Sequence, residues 1–268
     1  MKIAVAGKGG VGKTFLAAVI ADHLATRGLH VLAVDADSSP NLGHMLGLSK
    51  SALAEIVPIA DRTDLIRSRT DTGVPGVYRL TFKVDDIIRK YSTEVTNNLH
   101  LMVMGTVKTA GEGCVCPANA LLRALMRHLV VQHDEVIVLD MEAGLEHMGR
   151  GTAERVDLMI VVSEAGQRSL ETADRLIKLA HESGIPDIAL VGNKIRNNAG
   201  ETALRKNADN QGVKLGAIIR YDEVIEQFEL EGVSPLVGSS RSTAVATLRT
   251  FAEQILSQSY HHQKRCTR

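Results

Sequence analysis

Residues 7–14 read GKGGVGKT, and their types and spacing are those of a loop built to hold phosphate. Gly7, Gly12, Lys13 and Thr14 satisfy G-x-x-x-x-G-K-[ST], with the apolar run KIAVA (2–6) before it and TFLAAVIADHLA after it. A strand entering a glycine loop and a helix leaving it is the setting that makes this pattern specific. Glycines let backbone N–H groups approach phosphate oxygens, and the helix N-terminus adds a favourable dipole. Lys13 is expected to meet the β- and γ-phosphates of a nucleotide, and the Thr14 hydroxyl to sit on Mg²⁺. The stretch Gly9, Gly10, Val11, Gly12, Lys13, Thr14 and Phe15 is expected to line the phosphates. One lysine suffices for that task, so the second, Lys8, requires a reason of its own.

A second candidate is GEGCVCP at 111–117, which brings Cys114 and Cys116 close together. Pro117 suits the first turn of a helix, which places the pair at a helix N-terminus. There the dipole favours the metal-binding thiolate. Two sulfurs are too few to close a structural zinc site or to hold a cubane cluster alone.

These groups must be carried by a scaffold. Near-continuous apolar runs at 2–6, 31–35, 99–104, 135–140, 158–162, 188–192 and 214–219 read as parallel strands covered on both faces. Helical patterns lie between them at 13–27, 117–132, 168–184 and 200–209, with a last one at 241–257. This alternation predicts an α/β fold, a doubly wound and mostly parallel sheet with helices on both faces. Residues 43–98 break the rhythm and read as an insertion after the second strand, within one domain spanning 1–257. The polar residues 258–268 read as a frayed tail.

The chain has 268 residues, of which 44% are hydrophobic and 23% charged, values of an ordinary globular protein. Its 31 basic residues balance 31 acidic ones, so no net field draws it to nucleic acid or to an anionic membrane. Aromatics make up only 3%, which speaks against a base-stacking surface. With no membrane-spanning run and a strand at the very N-terminus, the expected location is cytoplasmic, with no nucleic-acid or membrane partner. Three cysteines in that compartment suggest metal or redox chemistry rather than disulfides.

The loop KGGVGKT, with lysine at its second position, resembles that of the deviant Walker-A P-loop ATPases, the group of ParA, MinD and the nitrogenase iron protein. The resemblance implies ATP and ADP as ligands, Mg²⁺ as cofactor and ATP hydrolysis as the reaction. It also implies that Lys8 crosses a two-fold homodimer axis to the phosphates of the partner subunit, serving the purpose of an arginine finger. Lys8, Lys13 and Asp37 become the expected catalytic residues. In VLAVDAD, Asp37 would activate the attacking water and Asp35 would lie near the Mg²⁺ shell. In VIVLDMEAG, Asp140 would be the Walker-B ligand, with Gly144 at the second switch. Asn193 in VGNKI would contact adenine. Phe15 stands where many relatives have a hydroxyl residue, and Arg220 where relatives often carry proline.

A two-fold dimer would double the sulfur count, so that Cys114 and Cys116 of two subunits present four thiolates around the axis. Four thiolates suit Ni²⁺ or Zn²⁺, or an iron–sulfur cluster. MKIAVAGKGGVGKT, AVDAD, GEGCVCP, DMEAGLEHMGRGTA (140–153) and VGNKIRN together are similar to the CooC-type carbon monoxide dehydrogenase maturation factors. The likeness implies an ATP-switched metallochaperone that serves carbon monoxide dehydrogenase or acetyl-CoA synthase as client. Two other readings compete with it: a spatial-organising ATPase of the ParA/MinD kind, and an ATP-driven iron–sulfur electron carrier or scaffold. The missing basic amphipathic helix disfavours the first, and the C-x-C spacing disfavours the second. Cys266 and the pair His261–His262 read as tail residues, and His147 as a packing or coupling residue beside the second switch.

Overall fold

A computed structural model of the chain describes residues 1–74, 77–79, 82–105, 116–132, 136–141, 155–237 and 241–266, giving the backbone alone for 85, 116–119, 130–132 and 259–266. Eight strands form one sheet in the order β3-β4-β2-β5-β1-β6-β7-β8. In chain order they are β1 (Lys2–Gly7), β2 (Val31–Ala36), β3 (Thr93–Thr96), β4 (Leu99–Val103), β5 (Val136–Met141), β6 (Leu158–Ser163), β7 (Asp187–Ile195) and β8 (Lys214–Arg220). All neighbours pair in parallel except the edge strand β3, which runs antiparallel to β4.

The near-continuous apolarity of the strands has a direct structural cause. Successive side chains leave a strand on opposite faces, and here each face has its own apolar cluster. Ile3 and Val5 of β1, Val31 and Ala33 of β2, and Val136 and Val138 of β5 join one cluster. Ala4 and Ala6, Leu32 and Val34, and Ile137 and Leu139 join the other.

The first face is covered by α1 (Lys13–Thr26), by the single turn α2 (Leu42–Met45) and by the last helix, α10 (Thr243–Cys266). Leu16, Ile20 and Leu24 of α1 are fully buried, each stabilising the fold by roughly 1.5–3 kcal/mol. Polar links fasten α1 to α10, since His23 Nε2 lies 2.7 Å from Glu253 Oε1, and Arg27 pairs with the same carboxylate. The opposite face carries α6 (Cys116–Gln132), α7 (Gln167–Glu182) and α8 (Asn198–Gln211).

Within 43–98 the chain forms α3 (Lys50–Glu55), a 3-10 turn at Ile59–Asp61, α4 (Thr63–Thr70) and α5 (Asp85–Tyr91). Its apolar residues join the existing clusters, Leu46 on the first face and Ile59, Leu65, Ile87 and Ile88 on the second. The segment therefore packs onto the same sheet.

Three features differ from the sequence expectation. The helix Glu223–Glu231 is covered by none of the expected helical patterns. Thr93–Thr96 adds an edge strand that the mixed polarity of 43–98 conceals; its turn at 97–98 leads straight into β4. The last helix runs to Cys266 rather than ending at 257, because no glycine or proline interrupts residues 243–266.

Asp222 organises the C-terminal part. It caps α9 (Glu223–Glu231) by accepting from the Val224 amide at 3.0 Å. Its other oxygen accepts from Ser242 Oγ at 2.8 Å, Thr243 Oγ1 at 3.2 Å and the Ala244 amide at 3.0 Å, so one carboxylate starts two helices. Burial raises its pKa, but these hydrogen bonds outweigh that effect and hold the carboxyl below its ordinary value.

Candidate nucleotide site

The expected phosphate loop leaves the C-terminal end of β1, in the interior of the sheet, and leads directly into α1. Parallel α/β sheets bind ligands at that edge. Two glycines are required by contact. A Cβ on Gly7 would lie 2.4 Å from the Val162 carbonyl of β6. A Cβ on Gly12 would lie 2.3 Å from Asn193 Nδ2, and Gly12 itself has a left-handed φ of 93°.

Gly12 is the N-cap of α1 and brings no capping side chain, and the first turn of the helix holds no acidic residue. The Leu16 amide is the first to bond back, to the Gly12 carbonyl at 3.1 Å. The helix therefore begins with N–H groups that have no partner of its own, and with an uncompensated positive dipole end, which favours an anion. Lys13 is buried and folds back over the loop, its Nζ 3.4 Å from the Lys8 carbonyl. Lys8, Gly9 and Gly10 are exposed, Val11 is buried, and Thr14 is half-buried. The Phe15 side chain is buried in the first-face cluster, so only its backbone remains for a ligand.

The acidic residues converge on the same edge. Asp35 and Asp140 are register partners on the adjacent strands β2 and β5, and Val5 of β1 is the partner of Asp140 on its other side. Asp35 is fully buried and accepts three backbone amides, from Asp37 at 3.2 Å and from Asn41 and Leu42 at 2.9 Å each. Burial pushes its carboxyl up, with these hydrogen bonds opposing. Asp37 is half-buried, and its Oδ1 accepts from the Ser39 amide at 2.9 Å.

Asp140 is also fully buried, yet among the described residues neither of its carboxylate oxygens has a hydrogen-bond partner. Burial pushes it up to about 7. The nearby Thr14 hydroxyl, without closing a bond of ordinary geometry, and the Lys13 ammonium oppose this rise, whereas Asp35 and Asp37 reinforce it. An orphaned buried carboxylate beside a threonine hydroxyl fits a hard, oxygen-seeking cation such as Mg²⁺.

Asn193 is buried in β7 and donates from Nδ2 to the Val11 carbonyl at 2.8 Å, so its amide nitrogen is engaged by the loop. Lys194, which spacing does not single out, donates from Nζ to the Gly10 carbonyl at 2.8 Å. Arg220 is taken up by Glu201 of α8 at 2.5 Å.

Cys114, Gly144 and His147 lie outside the described residues. Cys116 opens α6, in agreement with a helix start near Pro117, and Cys266 ends α10. Among the described residues no group of three His, Cys, Asp or Glu side chains is placed to hold a metal. Nor, among them, is any helix long and apolar enough to cross a membrane.

A glycine loop between an interior parallel strand and a buried helix, with an acidic residue closing the neighbouring strand, defines a P-loop nucleotide-binding protein. Comparison with known proteins narrows the class: the chain belongs to the CobQ/CobB/MinD/ParA nucleotide-binding domain family, whose model matches residues 2–236, and it is an ATPase of that family. It is 44% identical to an uncharacterized ATP-binding protein of Methanocaldococcus jannaschii, over 87% of this chain and 90% of that one. It is 39% identical to the carbon monoxide dehydrogenase accessory protein CooC of Rhodospirillum rubrum, over 95% and 97% of the two chains. Among solved structures it is similar in fold to a chain of the MinC:MinD cell division protein complex of Aquifex aeolicus, with a TM-score of 0.67 at 21% identity and 95% coverage of each chain.

Proposed function

We propose that this protein is an ATP-dependent maturation factor for a nickel enzyme, carbon monoxide dehydrogenase or acetyl-CoA synthase. The observation that carries the reading is the 39% identity to the CooC accessory protein along nearly the whole of both chains. The loop supports it, since a buried lysine, an open helix N-terminus and an orphaned aspartate suit a Mg²⁺-nucleotide.

In this reading two protomers close on two ATP molecules. Lys13 and the amides of residues 9–15 hold the phosphates, Thr14 and Asp140 hold Mg²⁺, and Asp35 supports the Mg²⁺ shell. Asp37 orients the attacking water. Asn193, whose amide nitrogen is held by Val11, meets adenine through its carbonyl oxygen. Lys8 of each protomer clamps the phosphates of the other. Cys114 and Cys116 from both protomers then complete a four-thiolate site for the cargo, Ni²⁺ or Zn²⁺. Hydrolysis opens the dimer and releases the metal to the client. ATP need only prefer the closed dimer by a few kcal/mol.

The test is titration with Ni²⁺ and Zn²⁺ alongside mass in solution with ATP or ADP, on wild type and on Cys114→Ser/Cys116→Ser. The expected result is one tightly held metal per two wild-type chains and none for the variant. Equal uptake by both proteins would remove the thiolate site from the mechanism.

A further inference from the structure

We propose that the bulge at Asn193–Lys194 is a clamp on the phosphate loop, and that Lys194 is a positioning residue for nucleotide binding. In a regular strand, two consecutive side chains leave on opposite faces and cannot both reach one loop. Strand β7 is not regular here. Its pairing with β8 shifts register between Gly192 and Ile195. Lys194 has φ 57°, the one non-glycine residue in the left-handed region among the described residues. A side chain with a Cβ disfavours that conformation, and such strain persists only where the surroundings enforce it.

The distortion has a geometric result. Asn193 Nδ2 reaches the Val11 carbonyl at 2.8 Å, and Lys194 Nζ reaches the Gly10 carbonyl at 2.8 Å. Adjacent side chains thus hold adjacent carbonyls. From the end of β6, Glu164 Oε1 approaches the same ammonium at 3.8 Å. The Glu164 amide is itself anchored, donating to Ser169 Oγ at 3.0 Å. Three segments at the sheet edge meet on one cation.

The loop needs such an anchor. Gly10 and Gly12 have φ of 82° and 93°, and a Cβ on Gly9 or Gly10 would meet nothing within 4 Å, so little in the loop's own packing fixes those peptides. Phosphate is held only when successive N–H groups point inward together. In a planar trans peptide the C=O and the following N–H point in opposite directions. Drawing the carbonyls of Gly10 and Val11 toward β7 therefore turns the amides of Val11 and Gly12 away from it. The Val11 amide has a long 3.4 Å contact to the Lys8 carbonyl, weak enough for a phosphate oxygen to replace. The clamp thereby pre-organises the loop before nucleotide arrives. It needs only that the loop binds nucleotide, and is independent of metal cargo and client.

Two variants test it. Lys194→Gly removes the ammonium while relieving the left-handed backbone, and Lys194→Arg keeps a cation. ADP affinity is measured by calorimetric titration, kcat and KM by steady-state ATP hydrolysis, and melting temperature without nucleotide. Lys194→Gly should melt no lower than wild type, bind ADP about tenfold more weakly, and raise KM more than it lowers kcat. Lys194→Arg should recover most of the affinity. Unchanged ADP affinity in Lys194→Gly would overturn the proposal. So would a fall in nucleotide-free melting temperature in step with affinity, which would assign Lys194 to folding, or an arginine variant no better than glycine.

Discussion

Asp35 and Asp140 are register partners across β2 and β5, equally buried, yet one carboxylate accepts three backbone amides and the other accepts nothing among the described residues. The partners of Asp35 come from the segment that follows its strand. After β2 the chain turns back, and the amides of Asn41 and Leu42 open α2 against Asp35. Asp35 thereby shapes the segment that carries Asp37. Asp140 keeps its oxygens unpartnered among the described residues, with Thr14 and Lys13 nearby. A pair that looks equivalent in sequence divides into an organiser of the backbone and a candidate cation ligand.

Asp140→Asn should therefore stabilise the metal-free protein. A carboxyl raised to about 7 carries no burial penalty below its ordinary 3.8, and the full penalty once pH exceeds about 7. At pH 8 in a chelator the neutral variant should gain on the order of 2 kcal/mol over wild type. Adding Mg²⁺ and ADP should reverse the order, because only the carboxylate gains a cation. Thermal melting under the two conditions measures both effects. An asparagine variant that melts lower without metal would mean the carboxylate is already satisfied.

The glycines of the loop are unequal, and alanine substitutions should separate them. At Gly12 a Cβ would meet Asn193 Nδ2 at 2.3 Å, on a backbone with φ 93°. Gly12→Ala should cost about 1–3 kcal/mol and displace Asn193 from the Val11 carbonyl, with loss of nucleotide binding. At Gly9 a Cβ would meet nothing within 4 Å. Gly9→Ala should stay within about 0.5 kcal/mol of wild type. Urea unfolding of both variants decides the point; equal destabilisation would contradict it.

Much of this architecture was legible in the sequence, because parallel strands buried on both faces leave near-continuous apolar runs such as KIAVA and VLAVD. The loop was equally legible, since GKGGVGKT needs only local spacing. The features that escaped depended on contacts between distant segments. Thr93–Thr96 is polar enough to read as loop and becomes a strand only by pairing with β4. Nothing in VGNKI announces that Lys194 turns left-handed and reaches Gly10, because a bulge is defined by its partner strand. The three amides on Asp35 likewise depend on a turn that brings residues 41–42 back to the strand end.

Acid sensitivity should be traceable to Asp222. Burial raises its pKa, but the bonds from Ala244, Ser242, Val224 and Thr243 prevail and hold its carboxyl below 3.8. Its contribution is therefore fully present above 3.8 and is lost as pH falls through the lower folded value. Asp222→Asn should lower the melting temperature at pH 7 by a few degrees, for loss of a helix cap worth about 1 kcal/mol. The difference should shrink as pH falls below 3.8 and vanish below the lower folded value, where both side chains are neutral. Calorimetric melts from pH 7 to 3 test this, and a difference independent of pH would exclude the charge as its source.

Lys8 offers the sharpest separation of nucleotide binding from assembly. Its side chain is exposed and its backbone carbonyl, rather than its ammonium, lies near Lys13. Its ammonium is therefore open to a group outside its own loop. Lys8→Ala should melt within about 0.5 kcal/mol of wild type and retain ADP binding, because Lys13 and the loop amides remain. If Lys8 acts across a two-fold axis, the variant should fail to dimerise with ATP, and turnover should fall by roughly the 10³-fold or more expected of a lost in-trans cation. Light scattering with a non-hydrolysable ATP analogue reads the first effect, and phosphate release the second. A variant that dimerises with ATP as wild type would show that closure does not depend on Lys8 and would remove its role across the axis.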